Sequence, residues 1–432
     1  MAGAWRRPGP TWPWSPRSCP RPGPPSRRCG RPTAEPAVAP AGPWPPALAG
    51  LPPAIGSHRL LGDGRGSALV TPGGEVDWWC APTFDAPPLL WSLLDPAGAR
   101  ASWAGSRLVE ASPQPAGPTT RTTLALGRAR IEVWDALLPV AGGGSALVRL
   151  VRALDGAVEV VHELRVGGFD GASWTWSGST CRAGDVDVHV TGGRTSVSPA
   201  GMARTVLLAT EGWSATVVSC TQQVDADAGA LAAVLAEAEA AFAAGLDRAR
   251  LPRHHPDRAR DALAVLEACT FRETGAVVAS PTTSLPEAPG ADRQFDYRFT
   301  WLRDASLAVS VASLLGRGAA ASRYLSFVHR MVGEASVPER PMSDIRGGGV
   351  PAEREVAHVS GWAGSLPVRV GNAAAEQVQM DALGMLLEAV SVYLQTGGSL
   401  DSATWDLVCA VAEHVIKPVS YTHLTLPTKR IV

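Results

Sequence analysis

ASPTTSLPEAPGADRQFDYRFTWLRDA, residues 279–305, is the stretch on which the reading of this chain turns. Its second half sets Asp296, Tyr297, Arg298, Trp301, Arg303 and Asp304 within nine positions, and an apolar run with helical spacing follows. An indole offers a flat apolar face to a sugar ring, a guanidinium supplies a fork of donors, and a carboxylate accepts from neighbouring hydroxyls. These residue types suit a carbohydrate pocket. On the residues alone they would equally serve as an aromatic and ion-pair cluster that pins a loop to a helix start.

Outward from this stretch the chain changes character once. Between about 55 and 225, short β-type runs such as SALVTPGGEVDWWC and SALVRLVRALDGAVEVVHELRV are split by Gly and Pro turns, the pattern of an antiparallel sandwich. An Ala-rich run at 231–249 is long enough for a linker helix. Apolar helical periodicity then recurs at about 258–274, 304–316, 318–333, 373–396 and 401–416, with the polar and aromatic residues gathered in the loops between. Helices in pairs with functional loops at one end predict a toroid of helical hairpins. The expected fold class is α+β multidomain, an N-terminal antiparallel β-sandwich followed by a partial (α/α)6 toroid. Its expected boundaries are a Pro/Arg-rich tail or mis-extended start at 1–50, the sandwich at 51–228, the linker helix at 229–257, the helical domain at 258–417 and a non-native tail at 418–432.

Composition narrows the function classes. The 432 residues are 45% hydrophobic and 18% charged, with a formal net charge of −1, so no whole-chain field favours nucleic acid or anionic lipid. A neutral substrate fits best. The seven cysteines are scattered, without the short paired spacing of a zinc or redox site, and read as thiols of a reducing, cytoplasmic compartment. No metal is expected, because the histidines show no ligand spacing. No run of about 18 uncharged apolar residues occurs to span a bilayer. The two ends stand apart. Residues 1–50 hold 14 Pro, seven Arg and a single acid, Glu35, too little apolar surface to offset ordering entropy. Lys417 and Lys429 are the only lysines, and PVSYTHLTLPTKRIV abandons the Ala, Gly and Arg bias of everything before it, which reads as foreign sequence.

Three blocks in order carry a resemblance to glycoside hydrolase family 15. They are the TSLPE and DYRFTWLRDA loops at 279–305, the opening HRLLGDGRGSALVTPGGEVDWWCAPTFD at 58–85, and GSLPVRVGNAAAEQVQMDALGMLLEAV at 364–390. Gly62, Asp63, Gly64 and Gly66 in the second block are no dinucleotide fingerprint, since strand-type sequence and a GG turn follow where a helix would be needed. In the third block helical spacing places Gln377, Asp381 and Met385 on one face and Val378, Leu386 and Ala389 on the apolar side, so that the helix start would face the pocket; equally, Asn372 would simply cap the helix, with Glu376, Gln379 and Asp381 solvated. Met385 stands where members usually carry Glu, Phe295 where they often carry Trp, and PMSDIRGGGV at 341–350 only loosely matches the family's YGIDG phrase.

The resemblance implies an inverting, exo-acting hydrolase that releases glucose from an α-glucoside such as trehalose or a maltooligosaccharide. It implies substrate-binding roles for Trp301, Tyr297, Arg303, Asp304, Gln379 and Asp381. No cofactor is implied, although some trehalase members are associated with phosphate and magnesium. Both catalytic glutamates are expected past the end of this chain, so the catalytic residues are unknown and the fragment itself is expected to be inactive. Of its own carboxylates, Glu287, Asp296, Asp304, Glu339 and Glu376 fall in candidate pocket loops. The expected partner is a carbohydrate, with no nucleic acid or membrane. The alternative is a noncatalytic carbohydrate-binding or scaffold protein.

Overall fold

The computed structural model describes residues 52–425 apart from Glu334, Ser336 and Glu339, with backbone alone for 418–425. The expected tail at 1–50 and residues 426–432 lie outside the described residues. Among the described residues strands occupy Arg59 to Cys220, and six α-helices with three two-stranded ribbons follow. The helices are α1 (Ala228–Asp247), α2 (Pro256–Ala268), α3 (Leu302–Leu314), α4 (Gly318–Val332), α5 (Met380–Gln395) and α6 (Ser402–Thr425).

The strands form one nine-stranded and one eight-stranded sheet. Pairing is antiparallel save where Arg59–Gly62 runs parallel to Ala116–Gly117. The two sheets share a core: Trp103, Val160 and Leu207 of the first pack with Leu124, Ile131, Val133 and Val151 of the second. The strand Ser145–Ala153 is buried along nearly its whole length, because both its faces are covered. Ala146, Val148 and Leu150 face away from the partner sheet and pack with Leu231 and Leu235 of α1. The expected linker helix therefore covers a sheet face. By length and composition α1 could also cross a membrane. Here it seals the sheet, and its Glu239 accepts hydrogen bonds from Trp134 Nε1 at 2.8 Å and Thr119 Oγ1 at 2.5 Å.

Between the sheets lies a buried polar group. Arg149 and Asp135 are cross-strand partners and both are fully buried, with Nε donating to Oδ1 at 2.8 Å. His162 is also fully buried, neither of its ring nitrogens has a partner, and its ring meets Trp103 edge-on. Burial, reinforced by the Arg149 guanidinium, pushes the His162 pKa well below the usual imidazole range.

The sheets meet the helices tightly. A Cβ at Gly62 would come within 2.8 Å of the Ala268 Cα at the end of α2, and Ser67 Oγ donates to the Ala268 carbonyl. Asp63 accepts from the Arg65 and Gly66 amides and from Ser145 Oγ, so the GDG turn closes on itself. Three helix boundaries differ from the periodicity, and in one of them α6, expected to end at 416, continues to Thr425. The helix expected to 274 stops at Ala268, because Thr270–Phe271 and Ala276–Val277 form a hairpin whose Gly275 (φ +84°) presses against the Arg323 backbone. The helix expected from 373 begins only at Met380. Asn372 caps a single turn, Ala373–Glu376, and Gln377 then turns extended. Val378, expected on the apolar side, is 77% exposed, while Leu386 and Ala389 inside the helix are buried.

The buried pair and the buried histidine make separable demands. Asp135→Ala leaves Arg149 unpaired inside the core, and denaturant unfolding should show a loss of about 3–5 kcal/mol. Asp155→Ala, which breaks the exposed Arg130–Asp155 pair, should leave the midpoint near wild type. Because His162 resists protonation when folded, its contribution is fully present above the unfolded imidazole value of about 6.5 and is lost as pH falls below it. Melts from pH 7.5 to 5 should therefore show a declining stability that His162→Leu flattens.

Candidate functional site

The residues flagged at 296–304 occupy the entry to α3. Thr300–Trp301 pairs as a ribbon with Met342–Ser343, and this holds the chain extended until the helix starts at Leu302. The Trp301 ring packs with Phe299, Met342 and Ala375 and is only 7% exposed, so it offers little open face. Tyr297 stands beside it, ring centroids 6.2 Å apart, and Phe295 continues the row at 6.1 Å from Tyr297.

Arg303 leaves the first turn of α3 and crosses to the start of α5. Its Nη1 donates to Gln379 Oε1 at 2.9 Å and Asp381 Oδ2 at 3.2 Å, Asp304 lies 3.7 Å from Nη2, and the guanidinium carbon is 5.5 Å from the Trp301 ring centre. Gln379 in turn donates to Gln377 Oε1 at 2.9 Å. The side chains of Arg303, Asp304 and Asp381 are 38%, 49% and 62% exposed, so the fork opens to solvent. Both aspartates sit in the first turn of a helix, where the unsatisfied amides favour negative charge. The six residues expected to bind sugar thus fall together at the joined N-termini of α3 and α5.

Beneath them the loops are stitched together by further polar groups. Asp296 and Arg298 form a buried bidentate pair, with Nε to Oδ1 at 2.9 Å and Nη2 to Oδ2 at 2.7 Å. Asp296 Oδ2 also accepts the Gly371 amide, and its carbonyl accepts Asn372 Nδ2. Ser284, at φ +55°, takes the Arg369 amide on its Oγ, while the Thr283 and Ser284 hydroxyls donate to the Arg369 carbonyl. Arg369 Nη1 reaches the carbonyls of Asp292 and Gln294. The two-sheet region joins in: Trp78 Nε1 donates to the Pro281 carbonyl, and Asp85 pairs with Arg346 at 3.3 Å. For the buried pair the signal in the sequence is the two-residue spacing of Asp296 and Arg298.

Of the six residues expected to bind sugar, Gln379 alone lines a cavity of about 680 Å3, whose walls also include Leu302, Glu376, Arg340 and His414. A second, of about 640 Å3, lies among α2, α3 and α4 and shares none of the cluster; there Arg248, Arg272, Arg317 and Arg323 face Glu267, which is paired with Arg317.

The carboxylates that sequence placed in these loops are mostly committed to other partners. Asp296 is saturated by hydrogen bonds, Asp304 and Asp381 share the Arg303 guanidinium, and Glu287 pairs with Arg293 at 3.3 Å. Glu376 is exposed, and Glu339 lies outside the described residues. Among the described residues no three His, Cys, Asp or Glu side chains converge as a metal site.

Residues 262–423 match the family Glycosyl hydrolases family 15. The chain is 30% identical to a trehalase of Mycolicibacterium smegmatis across 84% of its own length and 61% of that protein, and 28% identical to a trehalase of Mycobacterium tuberculosis across 84% and 60%. A shorter segment, 37% of the chain, is 35% identical to trehalase 1 of Sulfolobus acidocaldarius. The chain therefore spans about three-fifths of the length of the mycobacterial relatives it matches.

Asn372 is 4% exposed and serves both as cap to Ala374 and as donor to Asp296. Asn372→Ala should lower unfolding stability by about 1–2 kcal/mol, measured by denaturant titration.

Proposed function

We propose that this chain, a trehalase-like protein of glycoside hydrolase family 15, carries the sugar-gripping wall of an inverting, exo-acting glycosidase that releases glucose from an α-glucoside, trehalose first among the candidates. The observation behind this is the fork at the joined starts of α3 and α5, where Arg303 is held by Gln379, Asp381 and Asp304 beside a cavity of about 680 Å3. In this reading Arg303 donates to the distal hydroxyls of the terminal glucose. Asp304 and Asp381 accept from them, Gln379 steers the fork, and Tyr297 with Trp301 shapes the rim. The helices belong to a six-hairpin ring, and the strands form the β-sandwich that backs it.

Inversion needs a protonated carboxyl and a carboxylate about 6.5–9.5 Å apart, on opposite faces of the sugar. We assign that pair to none of the described carboxylates and expect the 432-residue chain to bind sugar without turnover. Magnesium, associated with some trehalases, does not fit the described residues, because the exposed Asp304 and Asp381 are already matched by Arg303 and no ligand cluster stands near them. Phosphate would find matching charge among Arg248, Arg272, Arg317 and Arg323. A cytoplasmic location is proposed on the five described cysteines, all free thiols.

Calorimetric titration of trehalose and of glucose into the full chain, with glucose release from trehalose and maltotriose assayed alongside, tests the reading. Saturable binding that Arg303→Ala weakens at least tenfold, with no glucose released, is the expected result. Turnover by this chain would overturn the assignment of the carboxylate pair elsewhere, and absence of binding would remove the gripping wall.

A further inference from the structure

We propose that Asp296 and Arg298 are the positioning residues of the gripping fork: one buried ion pair sets the relative placement of the two segments that deliver Arg303 and Gln379. The inference rests on the sugar-gripping reading above and adds to it what holds the grip in shape.

The argument is one of chain closure. Asp296 stands seven residues before Arg303, and Asn372 stands seven residues before Gln379. At the near end the segments are tied through Asp296, whose carbonyl accepts Asn372 Nδ2 at 3.0 Å and whose Oδ2 accepts the Gly371 amide at 3.1 Å. At the far end they are tied by Arg303 Nη1 to Gln379 Oε1 at 2.9 Å. The two stretches and the two polar links therefore make a closed ring. The far link is partly exposed and rests on one nitrogen, Arg303 Nη1, shared between Gln379 Oε1 and Asp381 Oδ2, so its geometry depends on a rigid near link. Rigidity is what the pair supplies. Both Asp296 oxygens are engaged twice, and Arg298 spends Nε and Nη2 on that carboxylate while Nη1 donates to the Ala86 carbonyl at 2.6 Å. That last contact lies in the loop joining the paired strands Val76–Cys80 and Pro88–Leu90, so the ring is referenced to the nine-stranded sheet. The planar guanidinium is specific to the task, since an ammonium cannot reach the carboxylate in two places and the Ala86 carbonyl at once.

Neither residue can be a sugar contact. Asp296 is fully buried and Arg298 is 4% exposed. Their influence must pass through Arg303 and Gln379, and that indirection is what the experiment reads.

The full chain is titrated with trehalose and with glucose as wild type, Arg298→Lys, Arg303→Lys and the double variant. Amide hydrogen exchange is followed in wild type and Arg298→Lys. Arg298→Lys should weaken binding roughly tenfold, and because it acts through the fork it should cost much less once Arg303→Lys is present. Exchange should quicken together across 297–304 and 371–381 and stay unchanged in the strand 145–153. Asp296→Asn, which keeps the shape of the carboxyl, replaces Arg298→Lys if the latter fails to melt cooperatively. Additive effects on affinity, or exchange that changes everywhere alike, would reduce the pair to a general stabiliser and overturn the inference. If wild type binds neither sugar, the gripping reading fails while the exchange pattern still decides the clamp.

Discussion

A carboxylate and a guanidinium without access to water, Asp296 and Arg298, are the constraint from which the functional end of this protein takes its form. Removing two charges from water costs several kcal/mol each, and their attraction offsets this only where geometry is good and the remaining lone pairs and protons are used. Here they are used, by the Gly371 amide and the Ala86 carbonyl. The pair can exist only while three distant segments, 80–86, 296–298 and 371–372, stay together. Each segment in turn is placed by larger elements: a strand of the nine-stranded sheet, the ribbon leading into α3, and the capped turn leading into α5. The local pair and the global fold therefore stabilise each other.

The two-sheet region matters to this arrangement as a platform. Its own interior carries a comparable device, the cross-strand Arg149–Asp135 pair beside His162, set where the two sheets face each other. Such groups contribute less net stability than an apolar core of equal volume would, and they resist sliding of one strand past another because a one-residue slip would leave a charge buried alone. The edge that meets the helices is similarly fixed, by Trp78 on the Pro281 carbonyl and by Gly62 against Ala268.

Much of this was legible in the sequence where local rules and tertiary placement agree. Alternating or continuous apolar runs marked the strands, and 3.6-residue periodicity marked α3 and α4 to within two residues. It was not legible where a turn interrupts a periodic run. The apolar pattern of 373–396 reads as one helix, yet Asn372 and the extended Gln377 split it, which throws Val378 into solvent and sets Gln379 ahead of the helix proper, free to meet Arg303. Likewise the Ala-rich run of α1 reads as a connector, because nothing in its own sequence tells that Ala146, Val148 and Leu150 offer an outward apolar face to be covered. Pairings over long sequence separation, such as Arg298 to Ala86 or Ser284 to Arg369, leave no local trace at all.

Trp301 shows how such long-range packing changes chemistry as well as shape. From composition an indole beside an arginine suggests a stacking platform, for which a broad open face is required. The ribbon with Met342 and the turn at Ala375 bury the ring to 7% exposure, and the Arg303 guanidinium lies over the ring, 5.5 Å from its centre. A pocket built this way gains little from the apolar side of a sugar ring and depends on directed hydrogen bonds from a charged fork. Discrimination would then follow hydroxyl configuration more than ring size, because a site made to pair with a particular hydroxyl rejects its absence far more strongly than an apolar surface rejects a missing contact. The burial of Trp301 is therefore what moves recognition onto the polar fork, and the rigidity of the fork is what makes such recognition selective.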